Sequence, residues 1–224
     1  MKEHEIIDRA VLTERPTHVF ALFSGGHDSL CSTHVASSHP GFSGVIHINT
    51  GIGIEQTREF VRATCKRFGW PLREYSPPVT YEWFVLTFGF PGPGFHGTVY
   101  NYLKERCIRQ IGRDYRSQHG RKRNRVAMIT GVRRDESERR MGHVEPIRIG
   151  NGIDKKGNVR EPWQVLVAPI HDWTHADKNS YIARHGLPRN PVVERLCMSG
   201  ECLCGAFAKP DEIVEIALHY PEAA

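Results

Sequence analysis

The stretch that most constrains this chain is a five-residue apolar run, Val19–Phe23, which stops at once on Ser24-Gly25-Gly26-His27-Asp28-Ser29. A short apolar run before two glycines reads as a buried strand, a tight turn and the start of a helix. Glycine has no Cβ, so the backbone of such a turn can approach a bound anion closely. The turn and the helix start then aim several N–H groups at one point, which suits a phosphate. Asp28 and Ser29 fall where an N-cap or a ligand contact is expected. A plain strand-to-helix turn that binds nothing would use the same residues, so the choice rests on the rest of the chain.

Strand and helix signals alternate from there on. Gly44–Ile48 is a second apolar run and ends in Asn49-Thr50-Gly51. From Ile54 to Phe68 apolar residues recur three or four apart, and Gly69 and Pro71 close that helix. Pro71–Tyr75 reads as a weak third strand. Residues 85–98, rich in Gly, Pro and Phe, read as a loop and a candidate lid over a ligand. A helix is expected over Val99–Arg113, a strand over Val126–Thr130 and a loop or hairpin around Asp154–Asn158. A strand over Val165–Ala168 follows, then a helix from the capping box of Thr174 and Asp177 to about His185. Pro210 opens a last short helix.

This alternation implies an α/β fold, a mainly parallel sheet with helices on both faces. Ligands of such sheets bind beyond the C-terminal strand ends. Three of those ends carry small polar or charged clusters, SGGHDS, NTG and GVRRDES, which favours a phosphate site at the opening turn. The chain is divided into a leader, 1–17, a nucleotide-binding domain, 18–190, and a cysteine-rich segment, 191–224, packed on that domain.

With 30 Lys and Arg against 25 Asp and Glu, the net charge of +5 permits nucleotide or nucleic-acid partners. The basic segment Arg113–Arg125 reads either as a track for a phosphate backbone or as a solubilising loop. No apolar run approaches the ~20 residues that cross a membrane. The first residues, MKEHEIIDRA, carry charges where a secretory leader is apolar, so a cytoplasmic location without membrane contact is expected.

Six cysteines in a reducing compartment suit thiols or metal ligands better than disulfides. Cys31 and Cys65 fall inside expected helices, as core residues. Cys197, Cys202 and Cys204 cluster in CMSGECLCG, where three thiolates could converge on a metal. Cys107 is the candidate fourth ligand, although it shares an apolar stripe with Leu103 and Ile111. Four thiolates suit zinc or an iron–sulfur cluster.

Ser24–Ser29 resembles the SGGxDS pyrophosphate loop of the N-type ATP pyrophosphatases, and the chain resembles their phosphoadenosine phosphosulfate (PAPS) reductase branch. The further segments that carry this are Asn49-Thr50-Gly51 with Glu55 and Thr57, Gly131-Val132-Arg133 with Glu136, Ser137 and Arg140, Pro169-Ile170 with Trp173 and Tyr181, and Pro188–Pro191. Together they span about residues 18–205. The resemblance implies an adenine nucleotide alpha hydrolase-like (Rossmann-like) fold. It implies a nucleotide, ATP or PAPS/APS, held by Ser24, Gly25, Gly26, His27, Asp28, Ser29, Thr50, Gly51, Gly131, Arg133, Glu136 and Ser137. Asp28, which would place Mg²⁺, is assigned to catalysis together with Arg133 and Arg140. Many relatives have lysine at the position of His27; a histidine is mostly neutral at pH 7, so the backbone must carry more of the binding. The resemblance also favours a [4Fe–4S] cluster over Zn²⁺, although the C-x4-C-x-C spacing differs from the reductase pattern.

Three functions are open to such a chain. The first is an ATP-dependent adenylating enzyme in sulfur insertion, thiolating DNA or tRNA with an iron–sulfur cluster and a sulfur donor protein. The second is a sulfonucleotide (PAPS/APS) reductase; the ECGxH-type cysteine tail of those enzymes is not matched after Gly205. The third is a non-catalytic nucleotide-binding module of a larger complex. A homo-oligomer is compatible with all three.

Overall fold

The computed structural model describes residues 2–116, 124–136 and 144–223. A helix, α1 (Lys2–Glu14), precedes β1 (His18–Leu22), α2 (His27–Ser37), β2 (Phe42–Ile48), α3 (Glu55–Phe68) and β3 (Leu72–Tyr75). Then come α4 (Tyr81–Phe88), α5 (His96–Tyr100), a π-helical turn (Asn101–Glu105) and α6 (Arg106–Arg116). The second half holds β4 (Val126–Ile129), β5 (Ile147–Ile149), β6 (Gln164–Val167), α7 (His175–His185), α8 (Pro191–Leu196) and α9 (Pro210–His219).

Six strands form one sheet in the order β3-β2-β1-β4-β6-β5. Every pairing is parallel except β5 with β6. Alternate residues of β1 face opposite sides, as a strand's two-residue period requires. Val19 and Ala21 join Ile7 and Ala10 of α1 and Val35 and Ala36 of α2 in one core. Phe20 joins Ile108, Ile111 and Tyr115 of α6 in the other. Burying side chains of this size contributes about 1.5–3 kcal/mol each. Residues 1–17, read as a leader, thus supply fully buried residues to the same core as β1.

Strand order runs one way from β1 through β2 to β3, then crosses back to β4 on the other side. Connections diverge between β1 and β4, and the crevice there is where open α/β sheets bind ligands. At that point Gly131, just after β4, touches the start of α2. A Cβ on it would lie 2.5 Å from the Ser29 nitrogen, so only glycine permits this approach.

Two segments differ from the sequence expectation. Residues 85–98 are not one loop. Thr80 caps α4 by accepting from the Trp83 N–H, Pro93–Phe95 is a 3-10 turn, and α5 begins at His96. Phe84 packs with Val99, Leu103 and Ala206, and this contact outweighs the Gly and Pro content. Strand β5 was hidden in a polar, Gly-rich stretch because three residues give no readable period. The hairpin around Asp154 is present: its carboxylate accepts from the N–H groups of Lys156 and Asn158. Among the described residues no helix is long and apolar enough to cross a membrane.

Candidate nucleotide-phosphate site

The turn after β1 is built around Gly25, whose φ is +82°. A Cβ there would also meet the Thr57 Cγ2 at 2.5 Å, so glycine is required on both counts. Gly26 is the N-cap of α2, and no side chain caps the helix. Its first N–H groups are therefore free of an internal acceptor and face the crevice end, the arrangement that receives an anion. Ser24 and Ser29 close the turn on itself. The Ser24 N–H donates to Ser29 Oγ at 3.3 Å, and Ser29 Oγ donates to the Gly26 carbonyl at 2.9 Å.

His27 does not stand in for a lysine. It is buried, and its Nε2 accepts from the Asn190 N–H at 3.2 Å. Burial lowers its pKa, more than the nearby Glu194 carboxylate raises it. It is a neutral structural acceptor. Asn190, fully buried, uses every polar atom of its side chain. Nδ2 donates to the Gly25 carbonyl at 2.9 Å and faces Thr57 Oγ1 at 3.3 Å, while Oδ1 caps α8 by accepting from the Val192 N–H at 3.0 Å. The glycine turn is thus held from outside by a residue 165 positions away in sequence.

Asp28 is occupied by cations. Arg133 Nε donates to its Oδ1 at 2.5 Å, and Lys178 Nζ lies 3.8 Å from the same oxygen. Arg133 is buried and also donates to the Trp173 carbonyl at 3.3 Å, with Asp135 at 3.4 Å. Two cations therefore back the start of α2, one of them on α7. Arg133 is a brace for Asp28 in this arrangement, and its charge adds to the positive field of the cradle.

Thr50, just after β2, holds a strap formed by residues 198–204, and Gly51 is exposed beside it. The Thr50 N–H donates to Glu201 Oε1 at 3.0 Å, and Thr50 Oγ1 donates to the Glu201 carbonyl at 2.6 Å. Thr57 Oγ1 donates to the Ser199 carbonyl at 2.5 Å, and the Ile54 N–H to that of Gly200 at 2.8 Å. Beneath the strap, His47 Nδ1 bonds the Phe23 carbonyl at 2.8 Å and Nε2 faces Glu201 Oε2 at 3.3 Å. Burial alone would lower the His47 pKa, but the hydrogen bond and charge of Glu201 outweigh it and raise it above the usual imidazole range. A group raised on folding contributes stability that is complete below its unfolded pKa, about 6.5, and is lost as pH rises through the folded value. Unfolding in urea between about pH 6 and 9 should therefore show the native chain losing stability with pH. The His47→Gln variant should lack that slope; an unchanged slope would remove this pair as its cause.

The cysteines do not assemble as expected. Among the described residues, no three His, Cys, Asp or Glu side chains are placed to hold a metal ion. Cys107 is buried on α6, its thiol turned to the Leu103 carbonyl at 3.5 Å, and burial pushes its pKa up to about 11. Cys197 is exposed in a left-handed conformation that ends α8. Cys202 and Cys204 stand one residue apart in the same loop, and their mutual interaction lowers the Cys204 thiol and raises that of Cys202, which burial raises further. Among the described residues the structure thus does not gather Cys107, Cys197, Cys202 and Cys204 into the ligand group expected for a [4Fe–4S] cluster or Zn²⁺. Helix α6 holds Cys107 at its own carbonyl, and the turn ending α8 leaves Cys197 at the surface. At Asp28 a Mg²⁺ ion would compete with the two cations that already face Oδ1.

The structure brings together Ser24–Ser29, Gly131 and Arg133, with Thr50 under the adjoining strap and Gly51 exposed beside it. Glu136 lies in a 3-10 turn, Arg134–Glu136. Ser137, Arg140 and most of Arg113–Arg125 lie outside the described residues. Sequence reasoning missed Asn190, Lys178, His47 and Glu201 as site residues. Asn190 carried one signal, its position before Pro191 at a helix start.

An uncapped helix under a double-glycine turn, at the switch point of a mostly parallel sheet, defines the nucleotide-alpha-hydrolase-like α/β fold. The chain belongs to the phosphoadenosine phosphosulfate reductase domain family, whose profile matches residues 18–203. It is 24% identical over 188 residues to a phosphoadenosine 5'-phosphosulfate reductase of Alkalilimnicola ehrlichii, covering 81% of this chain and 67% of that protein. It is 29% identical over 101 residues to an uncharacterised 37.8 kDa protein of Escherichia phage 186, covering 45% of this chain and 28% of that one. The phosphate complex of PAPS reductase from Candida auris shares the fold, with a TM-score of 0.58, 19% identity and coverage of 87% of this chain and 84% of that one. The chain thus spans 28% to 67% of the length of these two curated relatives.

Proposed function

We propose that this chain binds an adenosine sulfonucleotide, APS or PAPS, with the phosphosulfate on the Ser24–Ser29 cradle, and acts as a sulfonucleotide reductase. The observation that carries this reading is the occupation of Asp28 by Arg133 and Lys178. ATP cleavage between the α- and β-phosphates needs a carboxylate to place Mg²⁺, whereas thiol attack on a sulfonucleotide does not. In that attack a thiolate bonds the sulfate sulfur, the S–O bond to phosphate breaks, and the electron pair stays on the phosphate oxygen. The N–H groups at the start of α2, with Arg133 and Lys178 behind them, stabilise the charge that builds on the leaving phosphate. Neutral His27 adds nothing to that charge and keeps Asn190 in place. The relatives named as PAPS reductases support the same reading.

The test is a comparison of ligands on one preparation. Calorimetry should give APS or PAPS a Kd at least about tenfold below that of ATP with Mg²⁺, and sulfite should appear when a dithiol reductant is added. Pyrophosphate released from ATP with Mg²⁺ would instead establish the adenylating enzyme of sulfur insertion. Tight binding with neither product would establish a nucleotide-binding module.

A further inference from the structure

We propose that the surface formed by α4, α5 and α6 binds single-stranded nucleic acid, its bases stacked on Trp83, Phe88 and Phe95 and its phosphates on Arg106 and Arg109. The rings form one continuous platform. The Trp83 centroid lies 5.9 Å from that of Phe88 and 5.8 Å from that of Tyr102, and Phe88 lies 6.2 Å from Phe95 and 5.4 Å from Tyr102. Phe84, fully buried, packs within 5.9 Å of Phe88, Phe95 and Tyr102 and fixes them from beneath. Trp83, Phe88 and Phe95 nonetheless stay 37% to 43% exposed. An exposed apolar patch of this kind marks a binding surface, and every base has a π-face that such rings can stack.

The platform runs into a line of guanidinium groups. Arg106 lies over the Tyr102 ring, 3.9 Å from its centroid. A guanidinium on a ring keeps its N–H donors at its edges, free for phosphate oxygens. Arg106, Arg109 and Arg113 are three and four residues apart, so they share one face of α6 over about 10 Å. The opposite face, Ile108, Ile111 and Tyr115, is in the core. Arg109 donates to the Asn101 side chain and Arg113 to that of Gln110, both neutral partners. The carboxylates on these elements are Glu82, Glu105 and Asp114. Glu105 accepts from Asn151, and Asp114 accepts from Tyr75 and Gln110.

Charge complementarity selects a polyanion over an apolar protein surface. Residues 104–125 hold nine Lys and Arg against two Asp and Glu, in a chain whose net charge is +5, so the rest of the molecule is net negative. The positive charge of the protein is thus concentrated at and just after α6, beside the rings. The proposal does not rest on the nucleotide read for the Ser24–Ser29 cradle, and its failure would leave that reading standing.

The experiment titrates the full chain into a labelled 12-nucleotide single strand, followed by fluorescence anisotropy, with oligo(dT) and oligo(rU) as separate arms, either of which supports the proposal. The strand should bind at least about tenfold tighter than a duplex or an abasic strand of the same length. Unlabelled strand should quench tryptophan fluorescence, and Trp83→Phe should lose most of that quench. Trp83→Ala should weaken binding about tenfold, while Arg106→Gln and Arg109→Gln should each flatten the slope of log K against log salt by about 0.7. A duplex or abasic strand bound as tightly, a quench retained by Trp83→Phe, or a dimer in ultracentrifugation that Trp83→Ala splits would overturn the proposal. Trp83→Phe and the two glutamine variants decide it if Trp83→Ala fails to fold.

Discussion

Replacing Asn190 by alanine should cost about 3–5 kcal/mol of stability and abolish nucleotide binding, a larger effect than any substitution within the glycine turn that keeps its backbone. The side chain holds three buried partners. Its loss orphans the Gly25 carbonyl and the Val192 N–H, the second of which is the cap of α8, each at about 1–3 kcal/mol. Asn190→Asp separates the two roles. An aspartate still accepts from the Val192 N–H, but it cannot donate to the Gly25 carbonyl, and it puts a negative charge beside the anion site. It should retain more stability than alanine, and bind nucleotide no better. Urea unfolding gives the first quantity, and calorimetry with APS the second. Wild-type affinity in Asn190→Ala would show that the turn keeps its shape without this support.

The Asp28–Arg133 pair should respond asymmetrically to its two single substitutions. The Asp28 side chain is 27% exposed and that of Arg133 only 5%. Removing Arg133 leaves a carboxylate that water and Lys178 can still satisfy. Removing Asp28 leaves a buried guanidinium with only Asp135 and the Trp173 carbonyl. Breaking a buried pair costs about 3–5 kcal/mol, less here because Asp28 is partly solvated and Arg133 keeps other acceptors. Asp28→Asn should therefore cost about 2–3 kcal/mol, and Arg133→Ala less. Binding should run the other way. Asp28→Asn frees two positive charges at the cradle and should tighten binding of inorganic phosphate or APS by about tenfold, while Arg133→Ala weakens it. If Asp28 instead places Mg²⁺ for ATP, the asparagine variant loses nucleotide affinity, so a calorimetric titration separates the two roles by sign.

The elements of this fold were largely legible before any coordinates. The run Val19–Phe23, the glycines after it and the three-and-four spacing of α3 are local patterns, and local patterns report local conformation. The capping box of Thr174 and Asp177 forms as its spacing implies. The misses share a cause. Residues 85–98 carry loop composition, yet packing of Phe84 on Val99 and Leu103 makes helices of most of them. The cysteines Cys107, Cys197, Cys202 and Cys204 are close enough in pattern to suggest one metal site, but spacing along a chain does not set the direction of a thiol.

By itself, then, the sequence determined the alternation of strands and helices, the glycine turn at the end of β1 and the polar character of the strand ends, because each depends on residues within a few positions of one another. Tertiary structure alone decided what those residues do. Asn190 reaches the turn across 165 positions, and the Thr50–Glu201 clamp spans 151. Arg133 and Lys178 meet Asp28 only because β4 and α7 flank α2, and His27 becomes a neutral acceptor only once it is buried. The physical reason is common to all of them: hydrogen bonds and charges act over ångströms in space, and the fold sets which distant residues come within that range.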